Sequence, residues 1–363
     1  MTRELLSTFR GEVADDGLIY HIYKNKDGKN KWSVICSAMD WIEVVVEGID
    51  IARVQRGNDN ESSMKLMMFI SCIDVLWEAI QQLHRVLFDT TSIPFADEKN
   101  IFSDKLVDTT DNLYFKTIRA CFAAHPVNLK DRFREGEEKE QRFASWSTGG
   151  IAAKKDFTVF LYSNQPGEKM LMLDISFQEL FTFAQRRYEY LTELTEQLRR
   201  IKRDYLDSMK GSIERPSDTI SHIRTLKEAN KTRFGNDYYD YELTKIEKAF
   251  SIEPSSPRNA DLLHSYQATR IPVIEEIHTN LENMTLLDIE LTKDAHLDIP
   301  SDCQYYFADL ASSVYGDGTA YIWGIEPFIR KLDGIVDFQS IHSYEELYVL
   351  LLAGFYQLKH GEQ

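Results

Sequence analysis

The sequence is poor in residues that interrupt regular structure, and it lacks closely spaced cysteines. Its 363 residues include 17 Gly, 9 Pro and 4 Cys. Low glycine and proline contents favour helices over turn-rich β architectures. The four cysteines are far apart and form no CxxC pair, which argues against a zinc site built from neighbouring residues. We therefore expect a helical protein with reduced thiols.

Long apolar runs and an excess of positive charge are also absent. No stretch approaches the roughly 20 apolar residues of a membrane-spanning helix, and the first residues lack the apolar core of a signal peptide. The formal net charge is −16, which argues against broad non-specific binding to nucleic acid or to an anionic membrane, although a local basic groove that contacts RNA through a few arginines remains compatible with it. We expect a cytoplasmic protein with neither membrane nor DNA as a partner.

Helical periodicity is the main feature that the chain does contain. Apolar residues recur every three to five positions over 32–56 and again over 62–88, which predicts two long helices. A third helix is predicted over 104–125. Residues 1–31 are weakly patterned and are expected to form a weakly ordered segment, with a short strand over 18–23.

The second half of the sequence predicts one hairpin and further helices. Residues 127–156 are charged and predict a surface loop, and 157–175 contain two apolar runs around a Pro-Gly turn, the pattern of a β-hairpin. A long amphipathic helix is predicted over 176–209. A Gly- and Pro-containing stretch then separates a domain over 32–210 from a C-terminal helical region over 216–363.

The segment 116–126 reads Lys-Thr-Ile-Arg-Ala-Cys-Phe-Ala-Ala-His-Pro and carries most of the functional argument. Arg119 has a planar guanidinium suited to phosphate, and His125 can exchange a proton near neutral pH. RNA cleavage without a metal needs a base, an acid and a cation at the phosphoryl oxygens. Six positions on one helix place these side chains roughly 120° apart, so one helix alone does not focus them on one point. Two such helices packed across a two-fold axis could, because each arginine would pair with the histidine of the other chain.

This Arg–spacer–His motif resembles that of the HEPN superfamily (higher eukaryotes and prokaryotes nucleotide-binding), and so does the order of two long helices followed by a motif helix. The resemblance implies a mostly α, antiparallel helical bundle, here with one β-hairpin insertion and an additional C-terminal helical region. It also implies a metal-independent endoribonuclease without a cofactor, acting on RNA as a homodimer, in phage defence or a stress response. By the same resemblance, Arg119 stabilises phosphate and His125 transfers protons.

The second predicted helix offers candidate supporting residues for this site. Asp74, Glu78 and Gln82 lie on its polar side, and Asp74 is the strongest of the three. The competing interpretation is an ordinary solvated helix face. His84 lies beside the apolar stripe of the same helix, which predicts a partly buried, hydrogen-bonded histidine.

A non-catalytic helical module that binds a nucleotide, a peptide or a partner protein is the alternative function. Ala120 favours it, because many active HEPN members carry Asn, Asp or His directly after the arginine. The strong negative charge favours it too.

Two further features of the sequence each have two possible interpretations. The arginine pairs at 186–187 and 199–200 form either a phosphate-binding strip or a salt-bridged face, and the acidic, aromatic run 237–242 is either a partner surface or an amphipathic helix.

Overall fold

A computed structural model describes residues 1–50, 59–124, 129–130, 141–146, 154–285, 299–316 and 324–360. The chain is mostly helical, as the composition predicts. It divides into two compact units, Met1–Arg203 and Asp204–Gln363. The sequence instead placed the end of the first domain near residue 210. No described helix is long and apolar enough to cross a membrane.

Unit 1 combines helices with one small sheet. Its described helices are, in chain order, α1 (Glu4–Ala14), α2 (Leu18–Tyr23), α3 (Trp32–Gly48), α4 (Asp59–Phe88), α5 (Asp111–Arg119), α6 (Phe177–Glu189) and α7 (Leu191–Met209), which continues past the unit boundary. The core is centred on α4, which packs against both α3 and α6. The buried residues of α4 recur at helical spacing, so one face of a 30-residue helix enters the core.

The N-terminal segment is helical, which corrects the prediction of a weakly ordered stretch with a strand over 18–23. Phe9 of α1 and Tyr23 of α2 are completely buried in the core of unit 1. Tyr188 ties this segment down further, because its hydroxyl donates to the Thr2 carbonyl oxygen at 2.5 Å and accepts from the Leu6 amide at 3.3 Å. Packing against distant helices stabilises helices whose local pattern is too short to predict them.

The motif helix begins later than predicted, at Asp111 instead of residue 104. The Asp111 carboxylate is fully buried and accepts hydrogen bonds from the amides of Ile101 and Phe102. It also lies 2.7 Å from the ammonium group of Lys105. These contacts fold the preceding residues into a loop around the start of α5. The following Ala120–Ala124 form a π-helical turn.

The β-hairpin prediction is confirmed, but the hairpin belongs to a larger sheet. Four antiparallel strands lie in the order β1-β2-β3-β4. They are β1 (Leu129–Lys130), β2 (Gln141–Ala144), β3 (Phe157–Ser163) and β4 (Leu171–Ile175). Phe157 pairs with Ile175 in the predicted hairpin. β1 and β2 come from the stretch that we predicted to be a loop, so that part of the prediction was wrong.

The long helix predicted over 176–209 is interrupted at Tyr190, between α6 and α7. The Tyr190 amide donates to the carbonyl oxygen of Arg187, three residues earlier, so the backbone tightens at this point. The Tyr190 ring packs edge-on against Phe95, and its hydroxyl lies 3.0 Å from Nδ1 of His84. At the break, the Tyr190 side chain thus contacts both Phe95 and His84.

The regular elements of unit 2 are all helices in its described part, as predicted for the C-terminal region. Its helices are α8 (Thr219–Phe234), α9 (Asp240–Ser251), α10 (Pro257–Glu282), α11 (Ser301–Tyr315), α12 (Glu326–Lys331) and α13 (Tyr344–His360). α13 is buried from Glu346 to Phe355 and packs against α10 and α11. The acidic, aromatic run 237–242 leads into α9.

Candidate functional site

The structure brings together two residues that the sequence nominated separately. Arg119 is the last residue of α5, and its side chain is 45% exposed. Its Nε lies 2.9 Å from Oδ2 of Asp74, in the middle of α4. The pair joins the end of the motif helix to the central helix of the core. Asp74 is therefore in direct contact with the proposed phosphate-binding cation.

The backbone after Arg119 is wound more widely than an α-helix. The π-helical turn Ala120–Ala124 uses i→i+5 hydrogen bonds in place of i→i+4 bonds. Cys121 and Phe122 in this turn are buried, so the turn is anchored to the core while Arg119 stays at the surface. His125 lies outside the described residues. The angle of roughly 120° assumed a regular α-helix, and it does not hold across this turn.

The surroundings of Asp74 change its acidity. Burial raises the pKa of the Asp74 carboxyl above its ordinary value, and the negative charge of Glu78 acts in the same direction. Arg119 and Lys116 oppose this increase because they stabilise the carboxylate. Arg119 therefore favours the charged form of Asp74, against the larger effect of burial on its pKa.

Asp74, Glu78 and Gln82 line one groove, between α3 and α4. Its volume is about 510 Å³. The lining residues are Ser33, Val34, Ser37, Ala38, Trp41, Asp74, Val75, Glu78, Ala79 and Gln82. The groove has an apolar floor and a polar rim. The predicted supporting residues are thus neighbours along a surface cavity that reaches Arg119 through Asp74.

The rim is organised by hydrogen bonds along α4. Gln82 Nε2 donates to Glu78 Oε1 at 2.7 Å, and Arg85 Nη1 donates to the same oxygen at 3.4 Å. Glu78 is therefore oriented by two donors. Its other carboxylate oxygen has no hydrogen bond within the described part of the chain.

Trp41 is the groove residue that the sequence prediction missed. It lies on α3, and 54% of its surface is exposed. The buried residues of that helix include Ala38, Ile42 and Val45, so Trp41 is outside the apolar stripe. Its place outside the stripe is visible in the sequence, but single exposed apolar residues are common on protein surfaces, so the groove around it is what distinguishes Trp41.

α5 is held in place by a buried arginine on α6. Arg187 is 0% exposed, with Nη1 2.7 Å from Glu98 Oε2 and Nη2 2.8 Å from Asn112 Oδ1. Its guanidinium stacks on the ring of Phe183 at 3.7 Å. Burial lowers the pKa of Arg187 to about 10, against the stabilising charge of Glu98. This network fixes Asn112 at the start of the helix that carries Arg119.

The arginines of α6 and α7 favour the salt-bridged interpretation of the basic strip. Arg187 is structural, as its burial shows. Arg199 lies 2.7 Å from Glu12 and 2.6 Å from Glu196, so its charge is compensated within unit 1. Arg187 and Arg199 therefore do not act as free phosphate-binding groups.

His84 is buried, and both of its ring nitrogens lie within hydrogen-bond distance of a hydroxyl group, in agreement with the predicted hydrogen-bonded histidine. Its Nδ1 lies 3.0 Å from the Tyr190 hydroxyl and its Nε2 lies 3.3 Å from the Ser92 hydroxyl. Burial lowers the pKa of His84, with a smaller effect from Arg85. Among the residues that the structure describes, no three His, Cys, Asp or Glu side chains converge in a way that could hold a metal ion.

Comparison with known proteins finds no relative: no family model, no curated protein and no solved structure matches this chain.

Proposed function

We propose that the protein is a metal-independent endoribonuclease of the HEPN type that acts as a homodimer, with a role in phage defence or a stress response. Arg119 stabilises the phosphoryl oxygens, and His125 transfers the protons of the reaction. The observation that carries this proposal is the exposed Arg119, held by Asp74 at the end of the motif helix, six positions before His125.

The state of Arg119 suits a phosphate ligand. A guanidinium has five N–H donors, and one carboxylate uses at most two of them. Within the described residues, Asp74 is the sole carboxylate paired with Arg119. No described residue engages the remaining donors, which suits contacts to phosphoryl oxygens, and the ion pair restricts the directions in which they point. A positioned cation of this kind stabilises the additional negative charge of a phosphorane-like transition state.

The charge distribution favours unit 1 as the RNA-binding part. Residues 1–203 contain 28 Lys and Arg against 31 Asp and Glu, whereas residues 204–363 contain 14 against 27. Most of the net charge of −16 therefore belongs to unit 2. A nearly neutral unit with a local arginine repels a polyanion much less than the whole chain does.

The homodimer follows from the HEPN resemblance, which implies an active site at a homodimer interface. A two-fold axis doubles each group and apposes equivalent surfaces. Each phosphodiester would then lie between Arg119 of one protomer and His125 of the other.

The test is an RNA cleavage assay in the presence of a chelator. Wild-type protein, Arg119→Ala and His125→Ala are incubated with structured and unstructured RNA. Arg199→Ala is the matched control, because this arginine is also ion-paired and 44% exposed. We expect the control to cleave normally and each site variant to lose roughly 10²- to 10⁴-fold in rate. Equal cleavage by all proteins, or cleavage by none, contradicts the proposal.

A non-catalytic binding module is the second candidate function. The ion pair with Asp74 supports it, because a neutralised Arg119 attracts phosphate less strongly than a free arginine does. The apolar groove beside the pair supports it as well, since such a cavity suits a bound ligand. Binding of a nucleotide or peptide without any cleavage of RNA would favour this candidate over the nuclease.

A further inference from the structure

The groove between α3 and α4 has the size and chemistry of a ligand site. Its volume of about 510 Å³ falls in the range of roughly 300–1,000 Å³ typical of small-molecule sites. Val34, Ala38, Val75 and Ala79 form an apolar floor, and the exposed indole of Trp41 forms part of the wall. An exposed tryptophan beside an apolar floor offers a flat surface on which an aromatic ring can stack.

The groove is continuous with the proposed phosphate site. Asp74 lines the groove and also lies 2.9 Å from Arg119, so these two features are separated by a single side chain. A phosphate bound by the guanidinium would have its attached nucleoside beside the groove. The positive charge of Arg119 thus selects an anionic ligand, and the groove next to it selects a flat apolar group.

The polar rim matches the edge of a base. Gln82 can donate and accept hydrogen bonds, and Glu78 accepts them through an oxygen that no described residue engages. Single-stranded RNA is recognised in this way, by stacking on aromatic rings and by hydrogen bonds to base edges. A carboxylate acceptor favours adenine, cytosine and guanine, which carry exocyclic amino groups, over uracil, which has none.

We infer that the groove is the subsite for a nucleobase of RNA, stacked on Trp41 and read by Glu78 and Gln82, next to the phosphate bound by Arg119. The inference rests on the proposed function, because it takes its ligand class from the phosphate at Arg119. It adds a residue, Trp41, and a base preference that the proposed function does not contain.

The closing experiment measures binding separately from cleavage. Full-length protein is titrated with fluorescent single-stranded RNA that carries 2′-O-methyl groups throughout, which removes the attacking hydroxyl. Binding is followed by anisotropy for wild type, Trp41→Ala and Trp41→Phe. Trp146→Ala is the matched control, since Trp146 is also in unit 1 and is 69% exposed. Circular dichroism confirms that each variant is folded.

The expected result is specific to the stacking ring. Trp41→Ala weakens binding on the order of tenfold or more, Trp41→Phe retains most of the affinity, and Trp146→Ala leaves the affinity unchanged. Wild type prefers oligoadenylate to oligouridylate, and Glu78→Gln reduces that preference.

Two outcomes overturn the inference while leaving the proposed function separately testable. In the first, Trp41→Ala binds and cleaves RNA like wild type while Arg119→Ala is inactive, so the nuclease stands without this subsite. In the second, a designed amphipathic helical peptide binds in a Trp41-dependent manner and RNA does not, so the groove is a protein-binding site. Trp41-dependent RNA binding by a wild-type protein that never cleaves RNA supports the subsite and removes the nuclease.

Discussion

Arg119 and Asp74 form an ion pair with 2.9 Å between Nε and Oδ2, joining the end of α5 to the middle of α4. Both side chains retain contact with solvent, so the pair contributes little to the stability of the fold. Its main consequence is to set the direction of a surface guanidinium. A fixed direction matters for a group that must meet charge developing in a transition state.

Replacing Asp74 with alanine should impair activity much more than stability. Without the carboxylate the guanidinium samples more orientations, and we expect RNA cleavage to fall roughly 10- to 100-fold. The free energy of unfolding should change by less than about 1 kcal/mol, as for other exposed ion pairs. Single-turnover cleavage and urea denaturation measure the two quantities.

Asp40→Ala is the control for this variant. Asp40 is an exposed carboxylate on α3 that lies 3.2 Å from Arg10, so its removal deletes a similar ion pair away from Arg119. Both activity and stability should stay near wild type. An unchanged cleavage rate for Asp74→Ala would show that the pair has no positioning role.

Replacing Arg187 with methionine should strongly destabilise unit 1. The change removes a buried guanidinium that bonds Glu98 and Asn112, and it leaves Glu98 with the more distant, exposed Arg186 in place of its close buried partner. Loss of one partner from a buried ion pair typically costs about 3–5 kcal/mol. Urea denaturation of Arg187→Met measures this loss directly.

The neighbouring arginine provides the comparison. Arg186 is exposed and lies 3.7 Å from the same Glu98, so Arg186→Met should cost about 1 kcal/mol or less. The double variant Arg187→Met with Glu98→Gln should recover part of the lost stability, because the largely buried carboxylate is then removed together with its buried partner. Equal denaturation midpoints for the two arginine variants would refute this view of the network.

Acid should weaken unit 2 through a pair of buried histidines. His222 Nε2 lies 2.8 Å from His278 Nδ1, and His278 Nε2 lies 3.1 Å from Glu282. Burial, and then the nearby His278, lowers the pKa of His222 below its ordinary value of 6.5; Glu275 opposes this shift, and Arg215 adds to it. The unfolded chain therefore binds more protons than the folded chain as the pH falls through this region.

The sign of the effect follows from proton linkage. The stability that neutral His222 contributes is fully present above about pH 6.5 and is lost as the pH falls towards the lower pKa of the folded state. We expect the urea midpoint to decrease between about pH 7.5 and about pH 5.5 in wild type, with a smaller decrease in His222→Gln. Identical pH dependence in both proteins would exclude this histidine as the cause.

The sequence predicted those parts of the fold that long periodic patterns specify. The central helix α4 was identified because its period of 3.6 extends over many residues, and the hairpin of β3 and β4 because two apolar runs flank a Pro-Gly turn. Short elements were missed. α1 and α2 depend on burial of Phe9 and Tyr23 against distant helices, which no local pattern reveals.

Boundaries also depended on side-chain contacts that are remote in sequence. At the start of α5 the Asp111 carboxylate accepts from amides about ten residues earlier, and at the break of the long helix the Tyr190 hydroxyl lies 3.0 Å from His84. Both contacts join residues that are distant in sequence, so they form only when the chain is folded. They explain why predicted helix ends were wrong where the helices themselves were correct.

The candidate site was predictable in its residue types and only partly in its geometry. Asp74, Glu78 and Gln82 followed from the polar side of one helix, and the structure places them on one rim. Their junction with Arg119 depends on how α5 packs on α4, which periodicity does not encode. Trp41 was missed because attention to the apolar stripe of α3 excluded residues outside it.

The central claim is that Arg119 of one protomer and His125 of its partner act on the same phosphodiester. Mixing the inactive Arg119→Ala and His125→Ala proteins, after mild unfolding and refolding together, tests it most directly. A mixed dimer contains one site with both groups intact, so statistical pairing should restore about a quarter of wild-type RNA cleavage. Inactivity of a mixture in which mass spectrometry confirms mixed dimers would contradict the claim.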